Sequence, residues 1–482
     1  GRDAKKPDMV VPDMVAEYEK SDTIRDLLDN AMALEGVARH SSTHAAAVII
    51  TDQPLTTYLP VMRPQKAVIT EAVTQFEFPI CESIGLLKVD FLGLSTLTVM
   101  REATRIIRER HGIEYTLDNI PLDDDASYTL LSSGEVSGVF QVEGAGLRRM
   151  LQDMQPSEFN HIVAAISLYR PGPMDFIPDY IAVMHGRQEA EYVHPVLEPI
   201  LGETYGICVY QEQVIRLLTD IAGYSAAEAD NVRRGISKKS EKVLIQHREI
   251  FAQGSKARVG LSRKDADAIW DALMGFARYG FNRAHAADYA VITVQTAYLK
   301  AHYPLEYMAA MLLVERNNHE KVAYYITESR SMGIEVLAPD INASGMDFVV
   351  EQLGENLLPP VGKDARISYT FPIPPGAAIR YGLAAIKNVG EGSVQAVLDA
   401  RSEGGAFQSL EDLCQRVDLR KVGKKALECL IKVGALDVFG SRAQLLEAMD
   451  QMIGISKTGH EAEEAGQLTM FDLFGSAGAA AP

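Results

Sequence analysis

Two hydrophobic periods alternate along this chain, and the places where one gives way to the other divide it. Residues 15–40 carry apolar side chains at helical spacing, Val15 and Tyr18 first and then Ile24, Leu27, Leu28 and Met32, with Ser21-Asp22 as an interruption and N-cap. From His40 to Ile50 polar and small residues lead into a strand, and a second apolar stretch covers Ala67 to Phe78. The run Gly85-Leu86-Leu87-Lys88-Val89-Asp90-Phe91-Leu92-Gly93-Leu94 is almost wholly apolar and predicts a buried strand that breaks near Gly93. Periodicity alone leaves a buried helical segment open there. Strands separated by loops up to about residue 94 predict a mixed sheet.

Past Gly93 the helical period takes over. Leu97 to Arg110 is a basic amphipathic helix with His111-Gly112 as its stop. Helical segments dominate to about residue 330. They are interrupted at Tyr169-Arg170-Pro171-Gly172-Pro173-Met174, whose prolines demand a stiff loop presenting Arg170. Residues 336–380, rich in Pro and Gly, predict a linker or variable insertion. Short helices return over 381–440, and residues 441–482 predict an acidic flexible tail. The expected fold class is α+β, multidomain and mainly α-helical.

Length and composition narrow the class. The 482 residues have room for about two to four domains, and 47% hydrophobic with 23% charged residues is a globular composition. Cys81, Cys208, Cys414 and Cys429 are scattered with no Cys-x-x-Cys pair, so reduced thiols in a cytoplasmic protein are expected rather than a disulfide framework or a structural zinc site. No basic start followed by an apolar run marks a signal peptide, and no apolar run of about 18 residues offers a membrane span. The opening Gly1-Arg2-Asp3-Ala4-Lys5-Lys6 lacks an initiator Met and reads as cut from something longer.

The net charge of −18 argues, as a sum, against a nucleic-acid binder. Its distribution says more. Between Asn231 and Tyr303 stand 13 Lys and Arg against 6 Asp and Glu, a local balance of +7. One basic block in an acidic chain fits a protein that attracts a polyanion at one place, although a solvated helix face is the plainer meaning of a charge run alone.

Several constellations carry candidate chemistry. Lys88 and Asp90, two apart, share one face of a strand, either as a structural ion pair or as a carboxylate at the mouth of a cleft. Gly138-Val139-Phe140-Gln141-Val142-Glu143-Gly144 is a short apolar strand or turn between glycines. Tyr210-Gln211-Glu212-Gln213-Val214 is a polar cluster opening an amphipathic helix; each is weak by itself. In the segment from Asn231 to Lys239, Arg234 and Lys238 stand one helical turn apart, and with Arg233 and Lys239 they make a cationic stripe suited to phosphates. Within Tyr279 to Ala290, the side chains of Asn282, Arg283, His285 and Tyr289 can hydrogen-bond to or stack on a base, and the alanines between them leave room for something flat. A histidine satisfied in a core is the competing meaning of His285.

Leu383 to Leu398 has helix–hairpin–helix spacing. Its hairpin Val389-Gly390-Glu391-Gly392 turns tightly on two glycines and aims backbone N–H groups at a phosphate. Lys421 to Ala426 is a degenerate second copy. In the tail, Gln467-Leu468-Thr469-Met470-Phe471-Asp472-Leu473-Phe474 sets apolar anchors in an acidic segment, the pattern of a docking peptide.

With these segments side by side, the chain resembles the alpha-subunit family of bacterial DNA polymerase III, the C-family replicative DNA polymerases, over most of its length. The resemblance rests on Gly85–Leu94, Gly138–Glu143, Tyr169–Met174, Tyr210–Val214, Arg233–Lys239, Tyr279–Tyr289 and Lys300-Ala301-His302-Tyr303-Pro304, in family order. Phe281-Asn282-Arg283-Ala284-His285 is similar to the main replicative type rather than the error-prone paralogue.

The resemblance implies DNA-directed DNA synthesis on a partial Pol-beta-like nucleotidyltransferase palm, followed by large helical fingers and a helix–hairpin–helix region. Residues 1–40 would end the thumb, 41–95 form the C-terminal part of the palm, 96–335 the fingers, 336–380 the linker or variable insertion, 381–440 the helix–hairpin–helix region and 441–482 the tail. Asp90 then matches a catalytic aspartate, a ligand in a two-ion Mg2+ centre, with Lys88 as its basic neighbour. Arg170, Arg233, Arg234, Lys238, Lys239, Asn282, Arg283, His285 and Tyr289 would face incoming dNTP and template. Val389, Gly390 and Gly392 would meet duplex phosphates, and Gln467, Leu468, Met470 and Phe471 would dock on the sliding clamp. The implied partners are primer-template DNA, dNTP, the clamp, other replisome subunits and the missing N-terminal part of the polymerase, in a cytoplasmic, nucleoid-associated setting without a membrane.

One departure from the family is serious. Its palm carries two further aspartates in an Asp-x-Asp pair before the thumb, and this sequence has none there; Asp265-Ala266-Asp267 has the spacing but lies in the basic block. The amino-terminal phosphoesterase-like domain and the carboxy-terminal oligonucleotide-binding domain have no counterpart either. The expectation is an internal fragment, inactive as a polymerase by itself. The competing expectation is a non-catalytic DNA- and clamp-binding module. A nucleotide-binding enzyme unrelated to replication has little support without a Gly-x-x-x-x-Gly-Lys-Ser/Thr loop.

Overall fold

The computed structural model describes residues 12–37, 39–40, 43–44, 46–64, 72–237, 241–276, 280–354 and 367–464. The chain divides into two compact units between Leu94 and Ser95.

In the first unit, helices α1 (Pro12–Lys20) and α2 (Asp22–Leu34) meet at Ser21, whose hydroxyl accepts the Ile24 N–H at 3.4 Å as the predicted N-cap. Strand β1 (Ala47–Ile50) follows, then β2 (Val61–Met62) and β3 (Val73–Thr74), which pair antiparallel. Helix α3 (Phe78–Ser83) leads into β4 (Leu87–Asp90), antiparallel to β1 with Ala47 opposite Asp90 and Ile50 opposite Leu87. In place of the mixed sheet, the described residues form two separate two-stranded ladders. A small core of Leu59, Cys81 and Leu86 lies beneath them.

The apolar run around β4 is not the buried strand its pattern predicts: Leu87, Phe91 and Leu92 are 59%, 63% and 75% exposed. A run apolar on both faces needs a layer against each. Here only the small core reached by Leu86 lies against the ladder.

The second unit is mainly helical. Helix α4 (Ser95–His111) ends, as expected, at Gly112, whose φ of +69° is the left-handed stop. Helices α5 (Asp125–Ser133), α6 (Ala145–Met154), α7 (Phe159–Leu168) and α8 (Ile177–Met184) come next, with a tight turn Pro173–Phe176 after the proline loop. Short α9 (Glu198–Leu201) and α10 (Gln211–Arg216) precede α11 (Ala226–Ser237), α12 (Glu241–Val259) and α13 (Arg263–Phe276), which share a core around Phe251 and Trp270.

Helix α14 (Arg283–His302) runs through the main core, followed by α15 (Pro304–Val314) and α16 (His319–Ser331). Buried Ala286, Ala290, Ala297 and Ala301 line α14, and small side chains let α5 and α7 pack closely on it.

Residues 336–380, expected as a linker or variable insertion, contribute to a sheet instead. Strands β5 (Glu335–Leu337), β6 (Val349–Gln352) and β7 (Ala377–Arg380) form it, with β7 central, parallel to β5 and antiparallel to β6. Ala377 and Ile379 of β7, with Phe348 and Phe371, join the main helical core. Strands this short carry little period, so the prolines and glycines around them dominate the pattern.

The last part has its own core, built from α17 (Glu391–Gly404), α18 (Leu410–Arg416), α19 (Leu419–Val422), α20 (Lys424–Lys432) and α21 (Arg442–Glu464). Helix α21 occupies much of the stretch expected as flexible tail. Leu445 and Met452, two turns apart, bury one face. Ser456 is buried beside them, its hydroxyl donating to Val417 O at 2.7 Å and accepting Leu419 N–H at 2.9 Å. Gln467, Leu468, Met470 and Phe471 lie outside the described residues.

Candidate functional site

On β4, Lys88 and Asp90 share a face as strand alternation requires, and they are bonded: Lys88 Nζ lies 2.8 Å from Asp90 Oδ1 and 3.0 Å from Oδ2. His44 Nε2 is 3.5 Å from the same Oδ1, and Lys88 Nζ sits 5.0 Å from the centre of the Phe78 ring. Magnesium takes an octahedron of hard oxygen ligands. Here a single carboxylate is engaged by an ammonium, and the described residues contain no group of three or more His, Cys, Asp or Glu able to hold a metal. The residues present do not fit a two-ion centre.

A second constellation forms in the larger unit. Gln211 N–H donates to Phe281 O at 2.8 Å and Phe281 N–H to Val209 O at 3.0 Å, stitching the start of α10 to the start of α14. The Glu212 carboxylate accepts the Arg283 N–H at 3.0–3.1 Å. Two segments that were separate in sequence, Tyr210–Val214 and Gly280–Tyr289, thus become one site. Asn282 caps α14, its Oδ1 accepting the His285 N–H at 2.7 Å.

From that cap a row of rings follows. Phe281 and His285 have centroids 5.6 Å apart, His285 and Tyr289 4.3 Å, and Tyr289 and Phe140 5.1 Å. Arg170, presented by the proline loop, lies 4.2 Å over the Phe281 ring and donates from Nε to Ser167 O at 3.0 Å. Burial lowers its pKa without discharging it. Arg283 lies 5.3 Å over the Tyr210 ring and pairs with Glu203 at 3.0 Å. Burial pushes the Tyr210 phenol well up, so it stays neutral.

The structure therefore brings together Arg170, Asn282, Arg283, His285 and Tyr289. It adds Phe140, Tyr210 and Phe281, which sequence reasoning did not single out. Phe140 and Tyr210 lay in motifs too short to mean anything alone. His285 is exposed, not a core histidine.

The basic block is less basic than its composition. Arg233 and Arg234 both pair with Asp230, at 2.8 and 2.7 Å. Arg248 pairs with Asp267 and Asp271, and Arg263 with Asp267 and Glu249. Lys300 is buried. Asp230 and Glu203 lie outside the window over which the charge was summed, so the sum could not include them. Lys238 and Lys239 lie outside the described residues.

In the hairpin region the left-handed residue is Asn388, at φ +65°, rather than either glycine of the expected tight turn. Gly390 caps α17 at φ −83°, and nothing lies within 4 Å of a Cβ built at Gly390 or Gly392. Val389 is a buried anchor of the core beneath. Glu391 pairs with Arg316, which also holds Asp347. The second copy has the sharper turn, Gly423 at φ +83° between α19 and α20.

The family model "Bacterial DNA polymerase III alpha NTPase domain" matches residues 6–93, "Bacterial DNA polymerase III alpha subunit finger domain" matches 96–259, and "Helix-hairpin-helix motif" matches 333–445. The DNA polymerase III subunit alpha of Thermus aquaticus is 45% identical over 470 residues, covering 96% of this chain and 36% of the relative. Those of Deinococcus radiodurans and Mycobacterium tuberculosis are 40% identical over 477 residues and 41% over 470. These alignments cover 96% and 95% of this chain and 34% and 37% of the relatives. The chain thus spans little more than a third of the length of the curated relatives it matches. It belongs to the bacterial DNA polymerase III alpha-subunit family.

Proposed function

We propose that this chain provides the fingers and the duplex-gripping hairpins of a template-directed DNA polymerase, acting on primer-template DNA and dNTP. The observation that carries this is the row Phe281, His285, Tyr289 and Phe140 with Arg170 laid over its end. Flat rings stack on any base, and a neighbouring guanidinium meets the phosphate. The open space at Gly390 and Gly392 supports a phosphate approach to the backbone N–H groups that start α17.

In this reading 1–40 is the end of the thumb, 41–95 belongs to the palm, 96–335 is the fingers and 381–440 grips duplex DNA. Asp90 is then one carboxylate of a magnesium centre whose other ligands come from outside this chain. Gln467, Leu468, Met470 and Phe471 dock on the sliding clamp of a cytoplasmic replisome. With one such carboxylate, the chain by itself extends no primer. The same lone carboxylate favours the second reading, a DNA- and clamp-binding module without catalysis.

Primer extension separates the two. The chain is joined to a polypeptide that carries an Asp-x-Asp palm pair and assayed with Asp90 intact and as Asp90→Asn. Extension that is lost in Asp90→Asn supports the polymerase reading, and equal extension by both forms removes Asp90 from the site. DNA binding without extension in either form supports the module.

A further inference from the structure

Lys300, on α14, has no part in the stacking row, yet it meets the loop that carries Phe140 into that row. Lys300 is only 1% exposed, and its Nζ donates to Glu135 O and Ser137 O, both at 2.7 Å. Tyr307, on the next helix, donates its hydroxyl to Gly138 O at 2.6 Å. Thr293 Oγ1 donates to Phe140 O, and Thr296 Oγ1 accepts the Phe140 N–H, each at 3.2 Å. Side chains of α14 and α15 thus hold the backbone from Glu135 to Phe140 at five points.

The loop needs them. With φ at +77° for Gly138 and +67° for Gln141 it belongs to no helix or strand that would satisfy its carbonyls. Val136, Val139 and Val142 anchor it with no exposure at all, which keeps water from those carbonyls. A lysine is costly to bury. Among long side chains it has the reach, and more than one N–H on a single nitrogen, to bridge two carbonyls. What the loop carries is Phe140, whose ring packs on Tyr289 and so borders His285.

We infer that Lys300 is a positioning residue for the stacking row: through Glu135 O and Ser137 O it fixes the loop that holds Phe140 against Tyr289, and so sets the surface on which a nucleobase lies. Tyr307 shares the task at Gly138. The inference rests on the reading of the row as a base-stacking surface, and the test keeps the two apart.

A single-stranded oligonucleotide containing 2-aminopurine, whose fluorescence is quenched on stacking, is titrated with the full chain and with Tyr289→Ala, Tyr307→Phe and Lys300→Met. Backbone hydrogen exchange of residues 138–142 and thermal unfolding are followed on the same proteins. Tyr289→Ala is expected to weaken binding about five-fold or more, the scale of one lost stacking contact. Lys300→Met and Tyr307→Phe are expected to speed exchange in the loop and to weaken binding about three- to ten-fold. The Tyr307→Phe melting temperature should stay close to that of the parent.

Should Lys300→Met fail to fold, Tyr307→Phe decides, because it removes one hydroxyl and keeps the ring. Binding that falls in Tyr289→Ala but is untouched in the loop-lock variants overturns the inference and leaves the stacking surface standing. Binding untouched in Tyr289→Ala overturns both.

Discussion

The guanidinium of Arg170 lies 4.2 Å over the ring of Phe281. The arginine comes from the proline loop after α7 and the phenylalanine from the turn before α14, so the contact ties two distant segments into one surface. A cation over an aromatic face contributes about 0.5–2 kcal/mol, more as the pair is desolvated. It also fixes the plane of the guanidinium against the ring.

Arg170→Lys keeps the charge and loses the flat fork. Its affinity for primer-template DNA should fall about three- to ten-fold, and that of Arg170→Ala further, on the scale of one cation–π contact plus one phosphate contact. Fluorescence anisotropy with a labelled duplex measures this. Unchanged affinity would remove Arg170 from the DNA-facing surface.

Asn282 has a structural duty beside any contact with a base, since its Oδ1 caps the helix that carries His285 and Tyr289. Asn282→Ala should cost about 1 kcal/mol of stability, and Asn282→Asp should restore it. If Asn282→Asp also restores DNA binding, the residue acts through the cap. If binding stays low at full stability, the side-chain amide itself is used. Chemical denaturation and DNA titration on the two variants decide.

Asp230 holds Arg233 and Arg234 together, and hydrogen bonding to Arg233 keeps its carboxyl below the usual carboxylate range. Asp230→Asn removes that competitor for both guanidinium groups. DNA affinity at low salt should rise, and the slope of log affinity against log salt should steepen by about one, the signature of one more phosphate neutralised. An unchanged slope would mean that neither arginine is turned toward DNA.

Burial lowers the Lys300 pKa to about 8, whereas an unfolded lysine titrates near 10.4. Between those values the unfolded chain binds more protons than the folded one, so this residue makes stability rise with pH from about 8 to about 10.5. Below pH 8 the full cost of the buried charge is present. Buried tyrosines such as Tyr307, pushed up by burial, act in the opposite sense above pH 10. They are common to parent and variant and cancel in the difference. Denaturation at pH 7.5 and 9.5 should therefore show the parent gaining stability relative to Lys300→Met. A difference independent of pH would place the Lys300 proton elsewhere.

Legibility followed the length and period of each segment. The helices Asp22–Leu34 and Ser95–His111, their Ser21 cap and Gly112 stop, and the loop that presents Arg170 could be written from the residues alone. Local chemistry decides them: apolar spacing, a capping hydroxyl, a glycine free to turn left-handed, prolines that cannot continue a helix. Five members of the candidate site, Arg170, Asn282, Arg283, His285 and Tyr289, were also visible as chemistry, though their association with Phe140 and Tyr210 was not.

Pairing was decided elsewhere. The run through β4 is apolar enough for a buried strand and is exposed, because burial depends on what covers a strand rather than on its own side chains. The stretch through β6 and β7 looked like a linker and became a sheet once β7 found β5 and β6. Arg283 counted as free positive charge until the fold brought Glu203, 80 residues away in the chain, beside it.

Lys300 shows the division most plainly. The sequence by itself determined a lysine near the end of a long alanine-rich helix, a place where such a side chain ordinarily reaches water. Only the tertiary structure set two unsatisfied carbonyls, Glu135 O and Ser137 O, within 2.7 Å of its nitrogen. A buried polar group is held by whatever partner the fold delivers, and no local pattern records a partner more than 160 residues away.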